Sequence, residues 1–232
     1  LTGGAALETG LVNSYSIELD GTNDYVGLGD QSSGDLLFGT GDFSFSAWMK
    51  TEKSGYTWIY CLADTNGLVI GMNTGGTGEA RVWAGGTVKA GTSSLIDGEW
   101  HHYVVTRASG TMKIIIDNSE EMSDTSSGNI RTGSYTDARI GQYVPGGGFF
   151  DGNIDEVAFW DVALDADAVE TIYNSGTPIA LDADSGNYDN SGDLIAYWRF
   201  EEGTGTSVAD SSSNSFTGTL TNGAAWDTDV PS

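Results

Sequence analysis

Residues 149–173 read FFDGNIDEVAFWDVALDADAVETIY, and this stretch changes its periodicity part-way along. Its first half, GNIDEVAFW, alternates with the period of two that is typical of a β-strand. Its second half places apolar residues at helical spacing between Asp165, which can cap a helix, and Gly176, where a helix can end. The stretch therefore predicts a strand followed by a short helix over residues 165–174.

Short runs with the same period of two recur on both sides of this stretch. In FSFSAWMK, for example, Phe43, Phe45, Ala47 and Met49 share one face of a predicted strand. Turn sequences such as DGTND, NTGGTG and PGGG separate these runs at short intervals. Ten or so short strands, without helices to cover a parallel sheet, predict an all-β fold. We expect an antiparallel β-sandwich or jelly roll with one short helix.

The charge balance excludes two classes of partner. The chain has 33 acidic and 9 basic residues, for a net charge of −24. Such a surface repels the phosphates of nucleic acids and anionic membranes, so neither is expected to bind. No apolar run is long enough to span a bilayer, and we expect no membrane insertion. The acids themselves have two interpretations, a solvating surface or oxygen ligands for cations.

The single cysteine, Cys61, excludes an intrachain disulfide and a thiolate metal cluster. A domain of this size does not need such covalent support. The sequence begins at LTGGAALETG without a methionine, which is consistent with a piece of a longer protein.

Three stretches together resemble the LamG-like jellyroll domain of the concanavalin A-like lectin/glucanase superfamily. They are SYSIELDGTNDYVGLG (14–29), DGEWHHYVVTRASGTMKIIID (97–117) and the stretch 149–173. The motif G-x-I-D-E-V followed by a short helix is the most specific of the three. The resemblance covers about residues 11–175 and implies a concanavalin A-like sandwich.

The domain organisation has two alternatives after this region. We expect a LamG-like jellyroll domain over 1–176 and an acidic linker over 177–193. Residues 194–232 would either complete the same sandwich in a permuted order or open a following repeat. Leu220–Thr228 matches Leu1–Thr9 at six of nine positions, which favours a repeat.

The resemblance also implies a structural calcium ion beside the IDEV strand. Carried over residue by residue, Asp155 would supply a carboxylate and Asp20 a further oxygen, with Asp151 and Asp24 as weaker candidates. Calcium takes six to eight oxygen ligands, which loop carbonyls and a few carboxylates can supply. The alternative is that Asp155 and Glu156 only cap a strand end through hydrogen bonds.

No group of residues has the spacing that catalysis requires. The pair Glu18-x-Asp20 is the nearest match to the E-x-D-x-x-E strand of the superfamily's glycosidases, but the third acid is missing. His101 and His102 are adjacent, so on a strand they point to opposite faces, and similar W-H-H stretches in the family are scaffold. We therefore predict no catalytic residue and no enzyme. A glycoside hydrolase or polysaccharide lyase of the same superfamily is the weaker alternative.

Aromatic residues predict a binding surface instead. Tyr56, Trp58, Tyr60 and Trp83 lie on neighbouring predicted strands, and Trp58 and Tyr60 are expected to share a face. Aromatic rings stack on the apolar side of a sugar, and Asn73 is placed to add hydrogen bonds from a loop at the rim. The candidate ligand-binding residues are therefore Trp58, Tyr60, Asn73 and Trp83. The alternative is that these aromatics fill the core.

The sequence thus predicts a non-catalytic recognition module that binds a glycan or cell-surface polysaccharide. The resemblance implies an extracellular, cell-surface or virion-surface location, within a multidomain adhesin or a phage tail or decoration protein. Its other partners would be neighbouring domains of the same chain or virion. The alternative is a purely structural repeat or virion decoration protein without a glycan ligand.

Overall fold

The computed structural model describes residues 12–32, 34–64, 66–72 and 77–232. In this part of the chain the elements are, in order, β1 Ser16–Asp20, β2 Tyr25–Asp30, β3 Phe43–Lys50, β4 Thr57–Leu62, β5 Leu68–Met72, β6 Glu79–Ala84, β7 Thr87–Ser94, β8 Trp100–Ala108, β9 Thr111–Ile116, β10 Ser119–Thr125, β11 Asp137–Ile140, β12 Asp151–Trp160, the helix α1 Ala166–Tyr173, β13 Leu194–Trp198, β14 Ser207–Val208, β15 Gly218–Thr221 and β16 Ala225–Asp227.

The strands form two sheets, which we call sheet A and sheet B. Sheet A has the order β10-β9-β8-β3-β12-β1-β16, and β13 also pairs with β12. Sheet B has the order β14-β15-β2-β11-β4-β5-β6-β7. Neighbouring strands pair antiparallel, as in β3 with β8 and β4 with β5. The predicted antiparallel β-sandwich with one short helix is confirmed.

The main core lies between the two sheets. The alternating residues of β3, Phe43, Phe45, Ala47 and Met49, all face it. The ring of Phe159 lies 5.0 Å from that of Phe45 and 4.7 Å from that of Tyr60, so rings from the two sheets meet at the centre. Each such aromatic pair contributes about 0.5–1.5 kcal/mol beyond the area it buries.

A second core lies on the other side of sheet A, under helix α1. Asp165 caps the helix, and its carboxylate accepts a hydrogen bond of 2.8 Å from the backbone N–H of Ala168. The helix buries Val169 and Ile172 against residues of β8, β9, β12 and β13. The face of β3 that carries Trp48 is therefore also buried, which its alternating pattern alone does not indicate. No helix in the described ranges is long and apolar enough to cross a membrane.

The C-terminal segment adds strands to both sheets. Trp198 of β13 lies opposite Val157 of β12, and the β16 residue Trp226 lies opposite Ile17 of β1 in sheet A. In sheet B, β15 pairs with β2. The proposed domain limits stay a prediction, and the N-terminal copy of the repeat lies outside the described residues.

A β-bulge interrupts β12 at two buried carboxylates. The register against β3 shifts between Asp155 and Ala158, and Glu156 takes a left-handed backbone with φ of 48°. The hydroxyl of Tyr197 donates a hydrogen bond to Glu156 Oε2, and Arg199 Nε lies 3.8 Å from Glu156 Oε1. Burial raises the pKa of the Glu156 carboxyl to about 8, although the Tyr197 hydrogen bond and Arg199 oppose the shift.

Replacing Glu156 with glutamine should reduce the loss of stability at alkaline pH. Because its pKa rises from 4.5 in the unfolded chain to about 8 in the fold, the folded state binds this proton more tightly. Its contribution is fully present below pH 4.5 and is lost as the pH rises through 8. Glu156→Gln cannot lose a proton, so at pH 9 its Tm should exceed that of the wild type by about 2–4 °C or more. Circular dichroism melts at pH 5 and pH 9 measure this.

The matched control is Glu170→Gln, which removes one negative charge from the exposed surface of α1. Its effect on Tm should be similar at both pH values. A Glu156→Gln variant that melts below the wild type at pH 9 would contradict the expected direction of the shift, because the ionised carboxylate would then be stabilising.

Candidate functional site

An aromatic pocket lies on the outer side of sheet B, opposite the main core. Its volume is about 300 Å³. Strands β4, β5 and β6, the residue before β4 and the loop after β11 supply its walls. The lining residues are Tyr56, Trp58, Val69, Trp83, Tyr143, Gly146 and Gly148.

Trp58 is the centre of this pocket. Its ring stacks on that of Tyr56 at 5.5 Å, with an interplanar angle of 17°. The ring of Trp83 meets it edge-on at 4.9 Å, and Tyr143 is tilted against it at 5.8 Å. Trp58 is only 6% exposed, whereas Tyr56 is 47% exposed. Trp58 is therefore the floor of the pocket and Tyr56 its accessible wall.

Two glycines make room for the Trp58 ring. Gly71 lies opposite Trp58 in the sheet, and a Cβ there would lie 2.7 Å from the indole ring. Gly148 has φ of +60°, and its Cβ would lie 2.2 Å from Trp58 Nε1. The loop after β11 can therefore pass close to the ring only because its backbone carries no side chain at this point.

The buried thiol beneath the pocket is structural. Cys61 packs with Trp58, Val69 and Val144, and its Sγ accepts a hydrogen bond of 3.4 Å from the backbone N–H of Val144. Burial raises the pKa of this thiol to about 12, so it stays protonated at neutral pH and is a poor nucleophile. Its contact with Val144 holds the loop after β11 against β4.

Two of the four predicted ligand-binding residues meet in the pocket, Trp58 and Trp83. Tyr60 does not, and the expectation that it shares a face with Trp58 is wrong. The β4–β5 register shifts between these two residues, so Ile59 and Tyr60 both lie in the main core. Asn73 lies outside the described residues.

Tyr143 and the glycines after it are site residues that the sequence pattern does not predict. They stand in the run YVPGGG, where one aromatic residue precedes three consecutive glycines. The run by itself indicates only a turn. Its position 60 residues beyond Trp83 in the chain gives no sign that it folds over Trp58.

The side chains that line the pocket are uncharged. The lining residues that the structure describes include no Asp, Glu, Lys, Arg or His. The guanidinium of Arg81 lies next to the site, over the ring of Trp83 at 5.5 Å. Polar contacts inside the pocket would therefore come from tyrosine hydroxyls, indole N–H groups and the glycine backbone.

The two residues predicted to hold calcium are far apart. Asp20 lies opposite Asp151 in the β1–β12 pair, and Asp155 lies four residues further along β12, which corresponds to about 13 Å. The Asp20 carboxylate accepts a hydrogen bond from the N–H of Thr22, and that of Asp155 accepts one from Asn13 Nδ2. One ion with ligands at about 2.3–2.6 Å cannot bridge them.

The weaker calcium candidates also have other roles. Asp24 is buried and accepts backbone hydrogen bonds from Asp20 and Gly223, so it fastens a turn to the C-terminal segment. The carboxylate oxygen Oδ2 of Asp151 lies 3.9 Å from Nζ of Lys53. Across the described ranges, no group of three or more His, Cys, Asp or Glu residues is placed to hold a metal ion. These residues do not fit the calcium ion that the resemblance implies.

The histidine pair divides between a surface ion pair and a buried position. His101 lies between Asp117 and Asp97, and the hydrogen bond that its ring donates to Asp117 raises the pKa of His101. His102 is buried, its Nε2 lies 2.7 Å from Ser46 Oγ, and desolvation lowers its pKa to about 4. Neither ring reaches the aromatic pocket.

The comparison with protein families matches residues 20–170 to the laminin G type model described as the concanavalin A-like lectin/glucanases superfamily. The chain belongs to this superfamily. The predicted LamG-like family is therefore confirmed. No curated protein sequence is significantly similar to the chain.

Solved structures share the fold of this superfamily member at low sequence identity. A candidate carbohydrate-binding protein from Bacteroides ovatus superposes with a TM-score of 0.71 and 17% identity, over 95% of this chain and 62% of its own. A SAP-like pentraxin from Limulus polyphemus has a TM-score of 0.63 and 15% identity, over 94% and 97% of the two chains. The chain thus spans less than two thirds of the Bacteroides protein.

Replacing Gly148 with alanine should displace Trp58 and close the pocket. The new methyl group would overlap the indole, and the left-handed backbone adds about 1–2 kcal/mol of strain. We expect a changed near-ultraviolet circular dichroism signal and tryptophan emission at longer wavelength. Gly147→Ala is the matched control, because Gly147 also has a positive φ but has nothing within 4 Å of its Cβ position.

Gly147→Ala should lower stability through backbone strain alone and leave the tryptophan signals unchanged. Equal spectra for the two variants would mean that the loop does not pack on Trp58 as described.

Proposed function

We propose that the chain is a non-catalytic carbohydrate-recognition module and that the Trp58 pocket holds the sugar. The observation that carries this proposal is the concave arrangement of Tyr56, Trp58, Trp83 and Tyr143 on an outer sheet face. A pyranose presents C–H groups on one face and hydroxyls at its edge. Aromatic walls fit the first, and the indole and phenol groups fit the second.

The lining supports an uncharged ligand. A carboxylate sugar would have no lysine or arginine among the described lining residues, and the net charge of −24 repels anionic polysaccharides. A volume of about 300 Å³ is at the small end of ligand pockets, so one or two sugar rings are the expected occupant.

The same lining argues for binding without hydrolysis. Glycoside hydrolysis uses two carboxyl groups about 5–5.5 Å apart in retaining enzymes and about 6.5–9.5 Å apart in inverting ones. Neither Asp nor Glu stands among the described lining residues. The buried pair Asp155 and Glu156 lies on sheet A, on a different sheet from the pocket.

For its biological setting we propose an extracellular or virion-surface module within a larger protein, such as an adhesin or a tail or decoration protein. The match to part of the Bacteroides ovatus protein supports a multidomain context, and so does the terminal sequence repeat. The strong negative charge favours solubility and disfavours attachment to nucleic acid or anionic lipid.

A structural repeat without a ligand is the second candidate. It is supported by the burial of Trp58, because a ring that is 6% exposed could serve only to pack the loop after β11 on the sheet. The two candidates make different predictions for Tyr56, the accessible wall. In the first, Tyr56 contributes to the binding energy of a sugar; in the second, it contacts no ligand.

Glycan binding should depend on Tyr56. The folded protein is screened on a glycan array, and the affinity for its best neutral ligand is then measured by titration calorimetry. Tyr56→Ala should weaken binding at least about fivefold, because a stacked ring contributes about 1 kcal/mol. Tyr135→Ala is the matched control, since Tyr135 is 42% exposed and lies outside the pocket. Binding that is equal in both variants would place the sugar elsewhere, and no binding by the folded protein would favour the structural repeat.

Glycan binding should survive the removal of calcium. The described lining residues offer no carboxylate to an ion, so titration in EDTA should give the same affinity as titration in calcium. Loss of binding in EDTA, with an unchanged melting curve, would show that a metal takes part in recognition.

A further inference from the structure

A second aromatic pocket lies at one end of sheet A, away from the Trp58 site. Its volume is about 250 Å³. Trp48 of β3, Trp100 at the start of β8 and Tyr173 at the end of α1 supply its rings. Trp48 and Tyr173 are nearly parallel, with ring centroids 6.0 Å apart and an interplanar angle of 15°.

Carboxylates complete the wall of this second pocket. Glu99 and Asp117 line it, and no lysine or arginine is among its described lining residues. Asp117 is held in place by two contacts. Its Oδ1 accepts a hydrogen bond from the backbone N–H of His102, and its Oδ2 lies 2.7 Å from His101 Nδ1. Lys50 lies beside the pocket, but its ammonium pairs at 2.8 Å with Asp229, which also accepts a hydrogen bond of 2.9 Å from Trp100 Nε1.

The end of helix α1 adds negative potential at the same place. Tyr173 is the last residue of the helix, and the last turn carries no basic side chain. The carbonyl end of a helix bears a partial negative charge that favours cations. The aromatic rings, the carboxylates and the helix end therefore all favour a positively charged ligand.

We propose that this second pocket binds an organic ammonium group. The negative faces of indole and phenol rings attract a cation, and the attraction is strongest for tryptophan. Glu99 supplies the countercharge, and Asp117, which is paired with His101, adds to the negative wall. The Trp58 pocket has aromatic rings but no described carboxylate, so the two pockets select ligands of different charge. This proposal does not depend on glycan binding at the Trp58 pocket.

Tetramethylammonium is the probe that tests this proposal, because it carries the charge but has no hydrogen-bond donor. The indole N–H signals of the seven tryptophans are followed by heteronuclear NMR, with assignments from single Trp→Phe variants. The signals of Trp48 and Trp100 should shift and saturate, with a Kd in the millimolar range. Those of Trp58 and Trp83 should stay in place.

Two pairs of variants test separately what the Glu99 charge and the Tyr173 ring contribute to the affinity. Glu99→Gln should raise the Kd at least about threefold, whereas Glu18→Gln, an exposed site on β1, should leave it unchanged. Tyr173→Ala should abolish saturation and Tyr173→Phe should retain it, because phenylalanine keeps the ring face.

Three results would overturn the proposal. Small uniform shifts of every indole would mean that the cation only joins the ionic atmosphere of a chain with net charge −24. An equal response to tert-butyl alcohol, a neutral molecule of nearly the same size and shape, would show that the charge is not recognised. The third is no shift of Trp48 or Trp100 up to about 50 mM probe.

Discussion

The pairing of β12 is the constraint on which the rest of the sandwich depends. On one edge this strand pairs with β3 along most of its length; on the other edge it pairs first with β1 and then with β13. The bulge that begins at Asp155 lies where the partner changes. Glu156 adopts a left-handed backbone conformation there, and Ile154, Val157 and Phe159 can therefore all face the main core. The strained residue is kept because strand pairs on both edges fix its position.

This bulge also accounts for the most unusual acids of the chain. Desolvation raises the pKa of both Asp155 and Glu156, and the charge of Glu156 raises the pKa of Asp155 further. Asn13 donates a hydrogen bond to one carboxyl oxygen of Asp155, and Tyr197 donates one to a carboxyl oxygen of Glu156. Other acids, such as Asp24 and Asp165, accept backbone hydrogen bonds at turns and caps. The acidic composition therefore combines local structural roles with a solvated surface.

Alternation and turn residues predicted the all-β fold well, because they are local signals, and the resemblance of three stretches predicted the family. The sequence also brought Trp58 and Trp83 to one site, since their strands β4 and β6 belong to one meander with only β5 between them. It misplaced Tyr60, because a single bulge residue between it and Trp58 reverses the face and has no sequence signature. Asp20 and Asp155 were grouped by family resemblance, and only the β1–β12 register shows that they are far apart. Tyr143 reaches the pocket through a loop distant in sequence, which periodicity does not predict.

The proposed function requires that a neutral sugar ring occupies the pocket on the outer face of sheet B. A crystal structure of the chain with the strongest ligand from the array tests it most directly. We expect a sugar ring stacked on the accessible Tyr56 ring and in contact with Trp58 and Trp83, with carbon atoms within about 4.5 Å of the rings. A sugar bound anywhere else, for example in the groove between α1 and strands β8 and β9, would contradict it.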